Sequence, residues 1–247
     1  MLAAPWFVEA FTAEYLEVYS HRDEASARTE AKGALNLLRH DGGKGRMLDL
    51  AAGAGRHARA FRLLGCDVTC VDLSRDLTRR CHALGLRTVR GDMRRIPFAD
   101  GTFGAVASLF SSFGYFEDDL EHQATLDEIA RVLAPGGSVL LDLMDPDTVA
   151  FNLEHQSVEL VNGKTIEVER AITGDGRRVE KHVRILRSGA APRSWSESVR
   201  LFRRDDIEAL ATRARLRIEA VYGDFNGIPH ESGETRQLVV MRKPAAA

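Results

Sequence analysis

Residues 47–58 read Met-Leu-Asp-Leu-Ala-Ala-Gly-Ala-Gly-Arg-His-Ala, an apolar run that passes through glycines into a helical stretch. Glycine takes backbone angles that other residues resist and lets a ligand approach the main chain closely. A helix start just beyond it offers unpaired N–H groups. Gly53-Ala54-Gly55-Arg56-His57-Ala58 also satisfies the G-x-G-x-x-A form of a dinucleotide fingerprint. Asp72 ends the next apolar run, where a carboxylate can accept hydrogen bonds from both hydroxyls of a ribose. Gly91-Asp92-Met93 follows the third run, and Arg131-Val132-Leu133-Ala134-Pro135-Gly136-Gly137 leads into the fifth. Taken singly, these are a tight turn, a helix cap, a turn residue and a helix stop. In this order they point to ligand binding at one edge of a sheet.

The elements needed to build that edge follow in sequence. Residues 5–40 read as helical, with Phe7, Phe11, Tyr15, Leu16 and Tyr19 spaced three and four apart. Expected strands at 46–50, 67–72, 86–90, 103–109 and 138–143 alternate with helices at 56–64, 74–83 and 118–133. This alternation predicts an α/β, doubly wound, Rossmann-like fold. Its seven-stranded, mostly parallel sheet is completed by strands at 217–222 and 236–242, after a helix capped by Asp205 or Asp206. Past Pro146 the period shortens to two, and Asn162-Gly163 between two apolar runs is a strong hairpin signal. We expect one domain over 1–247, with a helical lid at 1–40 and an antiparallel β insertion at 150–202.

Composition narrows the classes. Among 247 residues, 34 Lys and Arg face 36 Asp and Glu, a formal charge of −2 that makes no case for a nucleic-acid or anionic-membrane surface. No apolar run approaches the ~18 residues of a membrane span, and the N-terminus does not read as a signal peptide. The three cysteines, Cys66, Cys70 and Cys81, have neither zinc nor disulfide spacing. A cytoplasmic monomer or homodimer is expected, without metal.

The motifs resemble those of the class I S-adenosylmethionine-dependent methyltransferases. That family usually reads Leu-Asp-Leu-Gly-Cys-Gly-x-Gly where this chain has Leu48-Asp49-Leu50-Ala51-Ala52-Gly53-Ala54-Gly55, so Ala51 replaces the first glycine. The resemblance implies S-adenosylmethionine (SAM) as cofactor and S-adenosylhomocysteine (SAH) as its product. Asp49 would hold the methionine amino group, and Ala51, Gly53 and Gly55 would form the loop around the methionine moiety. Asp72 would bind the ribose and Leu73 cover the adenine. Asp92 would accept the adenine amino hydrogen, with the Met93 N–H on a ring nitrogen. Tyr15, Tyr19 and Arg22 would close over the cofactor from the N-terminal helix.

By the same resemblance, Leu109-Phe110-Ser111-Ser112-Phe113-Gly114-Tyr115-Phe116 flanks the transferable methyl. It lacks the Pro-Pro loop of nucleic-acid amino-methyltransferases and is similar to a stretch in small-molecule N-methyltransferases. Phe110 is assigned to the cofactor by cation–π attraction to a sulfonium. Ser111, Phe113 and Tyr115 are substrate candidates, joined by Tyr222, Phe225 and Arg236 near the far end; Phe113 and Phe116 have an equally good reading as core. No histidine or acid stands out as a general base: His230 reads as a surface residue as readily as a base. Asp142, Asp145 and Asp147 do not make a metal site. A neutral amine needs positioning more than a base, which favours N-methylation of a small molecule. Competing readings are a nicotinamide-dependent oxidoreductase, which leaves residues 91–93 unexplained, and a non-catalytic SAM-binding module.

Overall fold

A computed structural model describes residues 5–12, 24–40, 45–231 and 233–245. The central sheet forms from the expected apolar runs: β1 (Met47–Leu50), β2 (Val68–Asp72), β3 (Arg87–Arg90), β4 (Phe103–Ser108), β5 (Leu133–Met144), β10 (Arg217–Tyr222) and β11 (Arg236–Arg242). Its order is β10-β11-β5-β4-β1-β2-β3. Only β11 is antiparallel to its neighbours, pairing that way with both β5 and β10. After β3 the chain crosses to the other side of β1, so β1 and β4 are adjacent and the order reverses there. Ligands of doubly wound sheets bind at such a switch point, outside the carboxyl ends of the strands.

β1 and β2 are buried along their whole length, as strands covered on both faces must be. One face packs Leu48, Leu50, Phe103, Val139 and Leu141 under α5 (Asp119–Val132) and α7 (Arg204–Arg213). The other packs Met47, Ala105, Leu140 and Leu238 under α2 (Glu24–Leu38), α3 (Arg56–Leu63) and α4 (Arg75–Ala83). Ser74 caps α4 through Leu77 N–H, and Asp118 caps α5 through Leu120 N–H, both as the sequence requires. At α7 the expected cap moves: Arg203 is the N-cap, and Asp206 accepts its N–H at 2.9 Å from the first turn. Among the described residues no helix is long and apolar enough to cross a membrane.

Two further differences matter for the site. The helical reading of 5–40 holds for α1 (Trp6–Ala10) and α2 but breaks at Phe11 and Thr12, while residues 13–23 lie outside the described residues. A short helix, α6 (Pro146–Asn152), follows β5, with Asp145 accepting Thr148 N–H and proline in the first turn. The Asp145-Pro146 pair is a helix-start signal overshadowed by the change of period beyond it.

The chain then forms a separate antiparallel sheet of β6 (Gln156–Val161), β7 (Lys164–Ile172), β8 (Arg178–Leu186) and β9 (Arg193–Arg200). Asn162 and Gly163 both take positive φ, 52° and 74°, as a two-residue hairpin turn requires. One side of this sheet buries Ile166, Val168, Val183 and Ile185. Its β9 end is tied to the chain just after α1: Arg193 donates to Thr12 Oγ1 at 3.1 Å, while Ser74 Oγ, at the start of α4, donates to Phe11 O at 2.6 Å. Trp6 and Phe11 also contact Tyr115 (ring centroids 4.9 and 5.3 Å), which lies in the 3-10 turn Ser112–Tyr115 after β4.

Candidate active site

Beyond β1 the chain turns through Ala51 (φ 58°), Gly53 (57°) and Gly55 (81°) into α3. Ala51 therefore holds the left-handed conformation that a glycine would take freely, at a cost of roughly 1–2 kcal/mol. Asp72 fastens this turn to the next. Its Oδ2 accepts Gly53 N–H at 2.7 Å and its Oδ1 accepts Ser74 N–H at 2.8 Å. Ala51, Asp72, Leu73, Asp92 and Met93 line one cleft, closed by Phe7 and Phe11 from the N-terminal segment and by Tyr115 and Phe116.

Both carboxylates beneath this cleft are displaced from their ordinary behaviour. Burial, with Asp72 nearby, pushes Asp49 up to about 7, against the Ala58 N–H that favours its charge. Burial likewise pushes Asp72 up to about 6, opposed by the amides of Ser74, Gly53 and Leu73. Asp49 Oδ2 is buried without a hydrogen-bond partner. A Cβ at Gly53 would enter open space. An orphaned carboxylate oxygen, a bare glycine and a second carboxylate fit a ligand with an ammonium group and vicinal hydroxyls.

These shifts fix the sign of a pH effect. Without ligand, the native chain retains protons on Asp49 and Asp72 that the unfolded chain releases near pH 4. The two groups thus make the ligand-free fold less stable as pH rises from about 4 to 7. A cationic or hydroxyl-bearing ligand favours the ionised forms and expels those protons. SAH affinity, measured by calorimetry in buffers of different ionisation enthalpy, should rise with pH from about 5 to 7, flatten above and show proton release. A flat profile with no proton release would contradict this coupling.

Asp92 reaches the cleft already paired. Arg94 Nε lies 3.0 and 3.1 Å from its two oxygens, and Arg94 also donates to Glu121. Arg94 stacks on Phe116 at 5.0 Å. A carboxylate has about four acceptor sites, so this clamp fixes the direction of Asp92 and leaves room for one further donor.

A second cavity of about 540 Å³ lies between the carboxyl edge of β4 and β5, α6 and the antiparallel sheet. Phe110, Ser111, Asp142, Thr148 and Arg236 line it on the core side, and Arg170, Lys181, Glu197 and Val199 on the sheet side. Tyr115 lines both this cavity and the first cleft.

The sequence candidates divide accordingly. Tyr15, Tyr19 and Arg22 lie outside the described residues. Gly55 is a packing glycine, facing Leu86 and Cys81 rather than the cleft. Phe110 moves from the cofactor to the second cavity, its ring lying 4.5 Å from the Arg56 and 5.3 Å from the Arg236 guanidinium. Phe113 is core, packed against His122 and Phe202, which satisfies its apolar ring away from any ligand. Tyr222 packs against the lower core cluster and Phe225 against Arg236 and the α2 backbone at Gly33, so neither lines the cavity. Ser111, Tyr115 and Arg236 do. His230 Nε2 donates to Asp145 Oδ2 at 3.1 Å, bracing α6 rather than lining the cavity.

Asp142, Thr148, Arg170 and Lys181 were missed as cavity residues. Thr148 is informative because its Oγ1 is buried with no partner. Thr148→Val keeps the shape and removes that unsatisfied hydroxyl, so unfolding in denaturant should show about 1 kcal/mol of added stability. A loss of stability would mean the hydroxyl is satisfied in solution.

Residues 47–137 match the family model described as a methyltransferase domain. The chain is 32% identical over 188 residues, 73% of its length and 79% of the relative's, to dTDP-3-amino-3,4,6-trideoxy-alpha-D-glucopyranose N,N-dimethyltransferase of Streptomyces venezuelae. The chain belongs to the S-adenosylmethionine-dependent methyltransferases. Cypemycin N-terminal methyltransferase from Streptomyces sp is 26% identical over 80% of this methyltransferase and 82% of its own length. The crystal structure of Streptomyces venezuelae DesVI superposes with a TM-score of 0.71 at 29% identity, covering 94% of this chain and 97% of that one. The methyltransferase therefore uses SAM as its cofactor.

Proposed function

We propose that this methyltransferase transfers a methyl group from SAM to an amine on a small polar acceptor held in the second cavity. The observation that carries this reading is Tyr115, which lines both compartments and so puts the acceptor cavity against the cofactor cleft. In this reading Asp72 holds the ribose hydroxyls, Leu73 and Met93 flank the adenine, Asp92 takes its amine and Asp49 takes the methionine ammonium. Gly53 gives the main chain its close approach.

When bound, SAM supplies an electrophilic methyl on a sulfonium. The chain's contribution is placement and dryness. Holding an amine in line with the methyl is worth ~7–11 kcal/mol, and α1 with the antiparallel sheet would act as lid and roof that keep water out. Amine methylation agrees with the activities of two relatives, one an aminosugar N,N-dimethyltransferase and the other an N-terminal methyltransferase. Arg170 and Lys181 on the roof suit an acceptor that also carries negative charge, such as an aminosugar linked to a nucleoside diphosphate. The three free, buried cysteines agree with work in a reducing cytoplasm.

The test is transfer of labelled methyl from SAM to three amine classes: free aminosugars, nucleoside-diphosphate aminosugars and short peptides with free N-termini. We expect N-methylation of the nucleotide-linked sugars at the highest kcat/KM. Labelling of hydroxyl or thiol acceptors alone would overturn the amine assignment.

A further inference from the structure

We propose that the Asp142 carboxylate receives the acceptor's amino group, holding one N–H so that the nitrogen lone pair faces the methyl. The proposal rests on the amine-methylation reading and adds the residue that orients the nucleophile.

Asp142 stands near the carboxyl end of β5, and its side chain is 3% exposed. It lines the acceptor cavity beside Phe110 and Ser111. Phe110 N–H donates to Oδ2 at 2.9 Å, and Arg236 Nη1 lies 3.3 Å from the same oxygen. Ser111 N–H donates to the Asp142 carbonyl at 2.9 Å. Both side-chain bonds fall on Oδ2, which leaves Oδ1 to a ligand. Burial pushes the carboxyl up, while Arg236 and the Phe110 amide oppose that shift.

The turn itself shows how firmly this group is placed. Phe110 and Ser111 hold positive φ, 61° and 59°, in a region that costs non-glycine residues about 1–2 kcal/mol each. Such strain persists where the surroundings impose it, and here both strained residues give their amides to Asp142. The other cavity acids are less suited. Glu154 is 69% exposed, and Glu197 already accepts the Trp195 indole N–H at 2.9 Å. Thr148 lines the same cavity.

The chemistry calls for an anion there. The amine arrives neutral; its N–C bond forms as the C–S bond breaks, and the bonding pair stays with sulfur. Positive charge passes from sulfur to nitrogen, and a fixed carboxylate stabilises that developing charge. The methylated ammonium releases its extra proton to water on leaving.

Sinefungin tests this without a known acceptor, because it carries an amine-bearing carbon in place of the methylsulfonium. Calorimetry should show the unmodified protein binding sinefungin at least tenfold more tightly than SAH. Asp142→Asn, which retains an oxygen for the Phe110 amide, should lose that preference while its SAH dissociation constant stays within threefold. Asp142→Ser should behave alike. A preference that survives both substitutions overturns the proposal, as does an equal loss of affinity for both ligands, which marks a purely structural role. Equal affinity in the unmodified protein overturns it whatever the variants do. Failure to bind SAH at all would instead sink the cofactor assignment beneath it.

Discussion

Asp72→Ala should weaken SAH binding by between about tenfold and somewhat over a hundredfold. The carboxylate is buried at the end of β2 and reaches toward the position assigned to the ribose. Loss of a hydrogen bond to a charged group costs about 1.5–3 kcal/mol, and each 1.4 kcal/mol is tenfold in affinity. The same substitution frees the amides of Gly53 and Ser74, which Asp72 now holds at 2.7 and 2.8 Å. The loop therefore loses its brace together with its ligand contact. Asp72→Asn separates the two effects, since it keeps oxygen and nitrogen in place of the two oxygens. It should bind SAH with intermediate affinity and lose the part of the rise with pH that belongs to Asp72, leaving the part that belongs to Asp49. A folded Asp72→Ala protein with unchanged affinity would falsify the ribose assignment.

The two loop glycines should respond oppositely to alanine. At Gly55, φ is 81° and a Cβ would stand 2.5 Å from Leu86 Cδ1 and 2.9 Å from Cys81 Sγ. The left-handed backbone costs about 1–2 kcal/mol and overpacking about 1–3 kcal/mol, so Gly55→Ala should lose roughly 2–5 kcal/mol of folding stability. At Gly53 the backbone cost remains, yet nothing lies within 4 Å of the added carbon. Gly53→Ala should keep most of its stability and lose tenfold or more in SAH affinity, because the methyl group projects into space assigned to the cofactor. Thermal denaturation with and without SAH measures both terms. If Gly53→Ala is stabilised by SAH as much as the unmodified protein, the cofactor does not pass over that glycine.

The cofactor side of the molecule was legible because its signals are local. Asp49, the 51–55 turn, Asp72 and residues 91–93 each lie at or just beyond the carboxyl end of an apolar strand, and strand alternation places those ends together. The Asn162-Gly163 turn was legible for the same reason. The acceptor side was not, since its residues meet only through tertiary structure. Asp142 is 32 positions from Phe110 and 94 from Arg236, and its neighbours in sequence give no sign of either contact. Arg170 and Lys181 reach the cavity through strand register, which alternation alone leaves unspecified. Phe113 and Phe110 show the complementary difficulty: two rings three residues apart, one in the core and one on the cavity wall.

The attachments of α1 bear on the order of events over several turnovers. The segment is fastened to the cofactor loop through Ser74 and to the antiparallel sheet through Arg193, and its aromatic rings rest on the Tyr115 shared by both compartments. Under the proposed function, displacing this segment to exchange SAH for SAM would also loosen the Tyr115 wall of the acceptor cavity. A methylated amine would then be set free at each exchange and compete with unmethylated molecules to return. Any second methylation of the same amine should therefore be distributive, with the singly methylated compound accumulating in solution before the doubly methylated one.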